Sequence, residues 1–528
     1  MGTRAAAVAA VLAFAATLLS GSASAKPPWL NDLALINRGI DRAVALGRID
    51  HAEAGDYRDA ATGAASVLPK LPSSRYRNLA AVVHQVAGFW KGYDSPRGRT
   101  LFAMLTFNTR WFASHWDQKP GKDVVDSSDG VWYRAFPGIG FQFHPLENFG
   151  KLNNFVAQKN VTRTQQLAEA LMERSVVRSG GLAWEYYFRF EGGRPPWISG
   201  MVQAVAAQAL AGAGTLLGDP TLTSASQRVY KTVPSLTRSV QTGPWIRLYA
   251  FNNETVLNAQ LQTIVSLQDY ATKTGDQAAV NLAARLQAAA IGLLPRFDTG
   301  YWSLYSLGGV EAPLDYHQYV VRLLTMLSKR TLDPTLTAYA ARFSDDLHQP
   351  PVVKNGPAPG AIYPWPQDGY RDYARYSFWI SKRSTVRLQV QQAGKPSVVT
   401  RGWHTAIWSP GRIAPDLYTP TLHAVDVAGN SSDTDLSAVE VRVDTQAPKV
   451  SASLARRRLY WRGSDDASPW LALRVVIRRT SAVRTLSLGR ETFRGSALLV
   501  APPGGWTATL FAADSTGNTT QVALGSLR

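Results

Sequence analysis

The sequence predicts a mainly α chain, a toroid-type (α/α) helical domain followed by two all-β sandwich modules. Three observations carry this. Apolar residues recur at helical spacing as far as about residue 348. Beyond about residue 370 the apolar period switches to two, with frequent turns. One β segment then repeats, residues 421–430 resembling residues 509–518, at a separation that suits one sandwich per repeat.

Taken in order, residues 1–25 read as a signal peptide. Arg4 gives a positive start, 5–19 is an apolar run, and Ala23-Ser24-Ala25 is a small-residue cleavage site before Lys26. Residues 26–130 form an N-terminal helical segment, with apolar clusters at 43–46, 79–83 and 101–105 between polar or Pro/Gly breaks. Residues 131–365 hold the rest of the helical domain. It opens on short aromatic strands at 130–133 and 140–145 and continues in helices paired by short connections. Leu257, Leu261, Ile264 and Val265 form one stripe, Leu282, Leu286, Ala289 and Leu293 a second, and Tyr316, Val320, Leu323, Leu324 and Leu327 a third. A serial array of such hairpins can close into a toroid whose mouth admits a sugar chain. Residues 366–446 and 447–528 are the β modules, jointed at Asp444-Thr445-Gln446-Ala447-Pro448. They resemble bacterial immunoglobulin-like or fibronectin-like repeats, and their Asp-x-x-Gly-Asn segments read as tight turns.

Composition narrows the function. The 528 residues are 45% apolar and carry a net charge of +18, a balance suited to anionic glycans and envelope polymers rather than to a disordered chain. There is no cysteine, which excludes disulfides, thiolate zinc sites and a cysteine nucleophile. No P-loop, His-Glu-x-x-His or Gly-x-Ser-x-Gly motif is present. Asp433-Thr434-Asp435 is too short for a calcium loop. No cofactor and no metal are expected, and no later stretch reads as a membrane span.

Several fragments then occur in a fixed order: Phe143-His144-Pro145-Leu146-Glu147-Asn148-Phe149-Gly150, Gly181-Leu182-Ala183-Trp184, Pro196-Trp197-Ile198-Ser199-Gly200-Met201-Val202-Gln203, Trp245-Ile246-Arg247-Leu248-Tyr249 with Val256-Leu257-Asn258, residues 294–307 ending in Tyr305-Ser306-Leu307, and Asp315-Tyr316-His317. Through them residues 181 to about 348 resemble the C-terminal domain of the D-glucuronyl C5-epimerases, which invert carbon 5 of glucuronate in heparosan-type polymers. The resemblance implies Tyr249, Tyr305 and Tyr316 as catalytic residues. The residues themselves offer Trp184, Trp197, His144, Arg247 and Arg322 as substrate contacts; Glu185 lies among aromatics that suit sugar stacking or an amphipathic hairpin, Asn258 and Gln203 fit sugar hydroxyls or interhelical bonds, His317 fits a carboxylate partner or a satisfied buried histidine, and the family's precedent is a dimer. The chain departs from the family pattern at Leu248, where a carboxylate precedes the tyrosine, at Gly308, where the family has arginine, and at Ile198, where it has tyrosine.

The chemistry asks for these residue types. Inversion removes the proton beside the uronate carboxylate and returns one from the other face, so two acid/base groups are needed. Tyrosine, with an ordinary pKa near 10, serves readily as an acid and needs assistance as a base. The enolate needs cationic or N–H donors, for which Arg247, Arg322 and a helix N-terminus are candidates. Asp315 with Gln318 reads as a capping box that sets Tyr316 at the first helical position; equally, Tyr316 simply begins an apolar stripe. Tyr305 can be a strand-end aromatic and Tyr249 a core aromatic. The reading is an exported epimerase of an acidic polysaccharide. The alternatives are a polysaccharide lyase sharing the first proton abstraction, and a non-catalytic envelope glycan binder.

Overall fold

The computed structural model describes residues 28–527, so the signal-peptide reading of 1–25 lies outside the described residues. The chain divides into two compact units meeting at Leu347 and His348.

The first unit is helical. Its helices are α1 (Pro28–Ala45), α2 (His51–Val67), α3 (Ser73–Gly88), α4 (Ser95–Ser114), α5 (Pro145–Ala157), α6 (Val161–Met172), α7 (Gly200–Leu217), α8 (Pro220–Tyr230), α9 (Leu257–Thr274), α10 (Gln277–Phe297), α11 (Leu314–Thr331) and α12 (Pro334–Asp346). Three short antiparallel sheets interrupt them. These are β1 (Asp123–Val125), β2 (Trp132–Phe136) and β3 (Gly140–Phe143); β4 (Val176–Arg178) with β5 (Gly181–Ala183); and β6 (Thr237–Val240) with β7 (Gly243–Ile246). The three helical stripes read from the sequence fall on α9, α10 and α11.

Local chemistry sets the helix ends. Asp50 and Glu53 form a reciprocal capping box at α2. The carboxylates of Asp94, Asp276 and Asp333 accept the first free N–H groups of α4, α10 and α12. Gly218 and Gly275 close α7 and α9 at φ of 67° and 70°, a backbone region that glycine enters without cost.

The helices form two layers. In one, α5, α7, α9 and α11 pack successively; α6, α8, α10 and α12 back them. Helix α7 is buried almost all round, which accounts for its Ala- and Val-rich sequence. By length and composition α7 and α10 are each apolar enough to cross a membrane, contrary to the expectation that no later stretch is, but 78% of the α7 window is buried inside the protein. It reads as a core helix.

The second unit is all β: β8 (Val353–Asn355), β9 (Ala374–Ile380), β10 (Ser384–Val390), β11 (Gln392–Ala393), β12 (Ser397–Val399), β13 (Gly402–Trp408), β14 (Asp416–Tyr418), β15 (Thr421–Asp426), β16 (Ser431–Asp435), β17 (Val439–Val441), β18 (Lys449–Ala455), β19 (Arg458–Ser464), β20 (Leu471–Arg479), β21 (Ala482–Glu491), β22 (Arg494–Leu498), β23 (Trp506–Ala513) and β24 (Thr519–Leu527). It begins upstream of residue 366, because β8 hydrogen-bonds to β9. Two hydrophobic cores form within it, one around Tyr376, Phe378, Ile380 and Leu422, the other around Leu459, Trp461, Val475 and Leu510. The strand pairing repeats. In the first half β9 lies between β8 and β13, and β15 between β10 and β16; in the second β19 lies between β18 and β22, and β23 between β20 and β24.

Candidate active site

Tyr249, Tyr305 and Tyr316 come from three separate segments and meet. Tyr249 follows β7, where Gly200 N–H donates to the Arg247 carbonyl at 2.9 Å and Ala250 N–H to the Ile198 carbonyl at 3.0 Å. The approach requires glycine at the start of α7, since a Cβ on Gly200 would lie 2.7 Å from the Arg247 oxygen. Tyr305 sits in the irregular segment between α10 and α11; its carbonyl accepts from Leu257 N–H at 3.2 Å, tying the segment to the start of α9. Tyr316 is in the first turn of α11.

The Tyr305 and Tyr316 rings meet edge to face at 5.4 Å between centroids. The Tyr249 and Tyr305 phenols interact through their side-chain hydroxyls. Burial is the main cause holding both phenols above the ordinary value, and for Tyr249 the presence of Tyr305 adds to it. Trp197 stands edge-on to Tyr249 at 5.7 Å and stacks on Tyr186 at 4.0 Å. Tyr186 and Tyr319, both raised chiefly by burial, also feel the charge of Tyr316.

Charge around the tyrosines is divided. Glu191 and Glu254 act electrostatically on Tyr305. Burial and then Glu254 hold the Glu191 carboxyl above its usual range. Two guanidiniums belong to the β6–β7 hairpin that leads into Tyr249. Arg238 is lowered by burial and then by Arg247, and it donates to Thr255 Oγ1. The Nε atoms of both are buried without hydrogen-bond partners, and among the described residues neither arginine is ion-paired to a carboxylate. Two adjacent like charges with buried unpaired donors are a costly arrangement that an anion relieves.

Several residues expected against substrate are used elsewhere. His317 is fully buried: its Nε2–H donates to the Phe343 carbonyl at 2.8 Å, Nδ1 faces Ser303 Oγ at 2.7 Å, and the ring stacks on Trp302 at 3.8 Å. It holds the Tyr305 segment rather than meeting a sugar. Trp184 is a core side chain whose Nε1–H donates to the Leu171 carbonyl at 2.7 Å. Glu185 is buried in ion pairs with Arg97 at 2.8 Å and Arg178 at 3.2 Å. Gln203 is fully buried in α7. Trp197, also buried, reaches the site only through its ring, since its Nε1–H donates to the Phe188 carbonyl at 2.8 Å.

The other candidates lie nearer. Asn258 is buried in the first turn of α9, one residue after the Leu257–Tyr305 contact. His144 caps α5 through Glu147 N–H and stands edge-on to Tyr186 at 5.3 Å; burial holds its imidazole below the usual pKa. Arg322 is exposed over the Tyr319 ring.

The expected capping box at α11 does not form. The N-cap is Pro313, with no side-chain hydrogen bond at the cap; burial raises the Asp315 carboxyl, and the backbone N–H groups of Asp315 and Tyr316 act against that. The free N–H groups at this helix start therefore already face an anion belonging to the chain. Sequence reasoning missed Arg238 and Glu254. Arg238 was within reach: Gly243 marks a hairpin turn whose register, Arg238 opposite Trp245, brings it beside Arg247.

Residues 179–345 match the family model described as D-glucuronyl C5-epimerase C-terminus, which gives this segment the coarse reading of a carbohydrate-modifying domain. Solved structures similar to the chain include an endoglucanase from Komagataeibacter sucrofermentans (15% identity, 42% of this chain and 71% of that chain covered, TM-score 0.31). A GH76 α-mannanase from Bacteroides thetaiotaomicron is another (14% identity, 58% and 86%, TM-score 0.32). Fibronectin(III)-like modules of Clostridium thermocellum CbhA are a third (14% identity, 33% and 92%, TM-score 0.17). Likeness at these scores carries no argument about reaction or substrate. No curated protein sequence matches the chain.

Proposed function

We propose, taking the epimerase-domain match over residues 179–345 as premise, that this chain inverts carbon 5 of glucuronate within an acidic polysaccharide. The same proposal includes export behind a signal peptide, toroidal closure of the helical layers and immunoglobulin-like β modules. The observation that carries it is the convergence of Tyr249, Tyr305 and Tyr316, with Arg238 and Arg247, neither of them ion-paired, on the hairpin that leads into Tyr249.

The uronate carboxylate meets the guanidiniums of Arg238 and Arg247, which stabilise the charge that develops as the carbon 5 proton leaves. The electron pair of the broken C–H bond moves into the carboxylate to give the enolate, and a proton returns to carbon 5 on the opposite face. Tyr305 is the candidate to take the proton, because it touches both other tyrosines, Tyr249 through its hydroxyl and Tyr316 edge to face. To act as base Tyr305 first gives its own proton to solvent, a step that burial and the charges of Glu191 and Glu254 oppose. Tyr316, edge-on to Tyr305, supplies the returning proton.

The test is incubation of the protein with heparosan and other glucuronate polymers in heavy water, followed by proton NMR and ultraviolet absorbance, beside a Tyr316→Phe control. Deuterium at carbon 5 with iduronate signals and no unsaturated product supports the epimerase. Rising unsaturated-uronate absorbance with chain shortening makes it a lyase. No exchange on any uronate polymer overturns the catalytic reading and favours a glycan binder.

A further inference from the structure

Two turns in the β unit are built alike and neutralised differently. In the first, Asp426 closes the β15–β16 turn. Its Oδ1 accepts from the N–H groups of Ala428 and Asn430, both at 2.9 Å. Its Oδ2 meets the Asn430 amide at 3.0 Å and the Lys382 ammonium at 3.0 Å. The Lys382 side chain, only 2% exposed, comes from the β9–β10 turn, and its Nζ also donates to the Gln349 carbonyl at 2.6 Å, in the stretch before β8.

In the second, Asp514 closes the equivalent β23–β24 turn. Its Oδ1 accepts from the N–H groups of Thr516, Gly517 and Asn518 at 2.9, 2.7 and 2.9 Å. Its Oδ2 is buried and has no hydrogen-bond partner, on a residue 2% exposed. The amide that would match Asn430 belongs to Asn518, and it turns to the Asp444 carbonyl at 3.2 Å.

The elements that carry Lys382 and Gln349 in the first module have counterparts in the second. The β19–β20 loop supplies Asp465 where the β9–β10 turn supplies Lys382. The stretch before β18 supplies the Asp444 carboxylate where the stretch before β8 supplies a carbonyl. One carboxylate oxygen from each of Asp444, Asp465 and Asp514 lies within 4.8 Å of the other two. Where the first module holds an ammonium, the second holds three converging carboxylates, and among the described residues none of the three is ion-paired. Burial first, and then the neighbouring carboxylates, hold Asp444 and Asp465 above their usual range.

We propose that Asp444, Asp465 and Asp514 bind one calcium ion, which takes in the second module the place of the Lys382 ammonium in the first. The donors are all oxygen, which selects a hard cation over zinc or copper. Three carboxylates at this separation suit calcium, whose oxygen ligands stand about 2.3–2.6 Å from the ion and number six to eight. Asp444 also lines an open pocket with Tyr363, Arg442 and Asp466, through which water completes the coordination. Because Asp444 lies in the segment joining the two modules, the ion fastens that joint to the second module. This departs from the expectation, read from sequence, of no metal.

The experiment uses the full chain, stripped with chelator and titrated with calcium chloride by calorimetry, with thermal unfolding followed in parallel. One calcium per chain and an unfolding transition raised by several degrees are expected, with magnesium at equal concentration giving neither. Asp465→Asn keeps the loop hydrogen bonds and weakens calcium binding at least about tenfold. Asp465→Lys restores the charge arrangement of the first module, so the variant folds in chelator and no longer responds to calcium. Absence of binding and of any shift in the unaltered chain at millimolar calcium overturns the proposal. So does calcium binding that survives both substitutions, or an equal response to magnesium.

Discussion

Tyr249 and Tyr305 meet through their phenols, although α9 and α10 separate the two in the chain. Tyr305 also meets the Tyr316 ring edge to face, so it stands between the other two tyrosines. Tyr305→Phe is therefore expected to lose deuterium exchange at carbon 5 by roughly 10²–10⁴-fold. Tyr249→Phe is expected to lose less and to move the rate-limiting ionisation of Tyr305 upward in pH. Rate–pH profiles of the two variants check this. Equal losses with unshifted profiles would show that the bond only positions the rings.

Alkaline pH tests the same burial. Tyr249, Tyr305, Tyr186 and Tyr133 are all raised from the ordinary value of 10.0, in each case chiefly by burial. In the unfolded chain these phenols ionise near 10, while in the native state they keep their protons. Above pH 10 the native state therefore binds more protons, so stability is fully present below 10 and falls as pH rises beyond it. Phenolate absorbance from these residues is expected to rise together with the loss of far-ultraviolet circular dichroism. Their ionisation while helical signal persists would contradict the burial.

Glu185 separates a structural role from a sugar contact. Its side chain is fully buried between Arg97 and Arg178. Removing one member of a buried pair leaves an uncompensated charge and costs about 3–5 kcal/mol. Glu185→Ala is expected to lower the unfolding free energy by up to that amount, less whatever water recovers at Arg97 and Arg178, which are 24% and 35% exposed, and so to lower the urea midpoint. Loss of sugar binding with an unchanged midpoint would return Glu185 to the site.

These outcomes follow from what the sequence did and did not disclose. The stripes on α9, α10 and α11 were legible because burial of one face imposes a helical period. The β repeat was legible because Gly429 and Gly517, at φ of 92° and 96°, close turns that other residues enter at a cost. The three tyrosines stood in ordered motifs. Burial state did not: Trp184, Glu185 and His317 sit in or beside the same motifs, and only tertiary packing shows that their polar atoms are spent inside the protein, whereas Gln203 donates through Nε2 to the Ser199 carbonyl and keeps Oε1 buried without a partner. The start of α11 was misplaced for a local reason. Pro313 is the N-cap and Leu314 already belongs to the helix, which moves Asp315 inside, where the backbone N–H groups of Asp315 and Tyr316 act on its carboxyl.

Arg247 offers the sharpest division between folding and function. Beside Arg238, with Nε buried and unpartnered, its charge opposes the folded state. Arg247→Met keeps the apolar stem and removes the charge. The substitution is expected to stabilise the fold by about 0.5–1 kcal/mol, as removal of strained functional groups commonly does. It is also expected to raise KM for the uronate polymer about tenfold or more, since a charge-assisted hydrogen bond contributes about 1.5–3 kcal/mol, and to flatten the dependence of KM on salt. Arg247→Lys, which retains charge without the planar fork, should recover the salt dependence and only part of the affinity. Destabilisation of Arg247→Met with unchanged KM would assign the guanidinium to packing, and the carboxylate site would then rest on Arg238 alone.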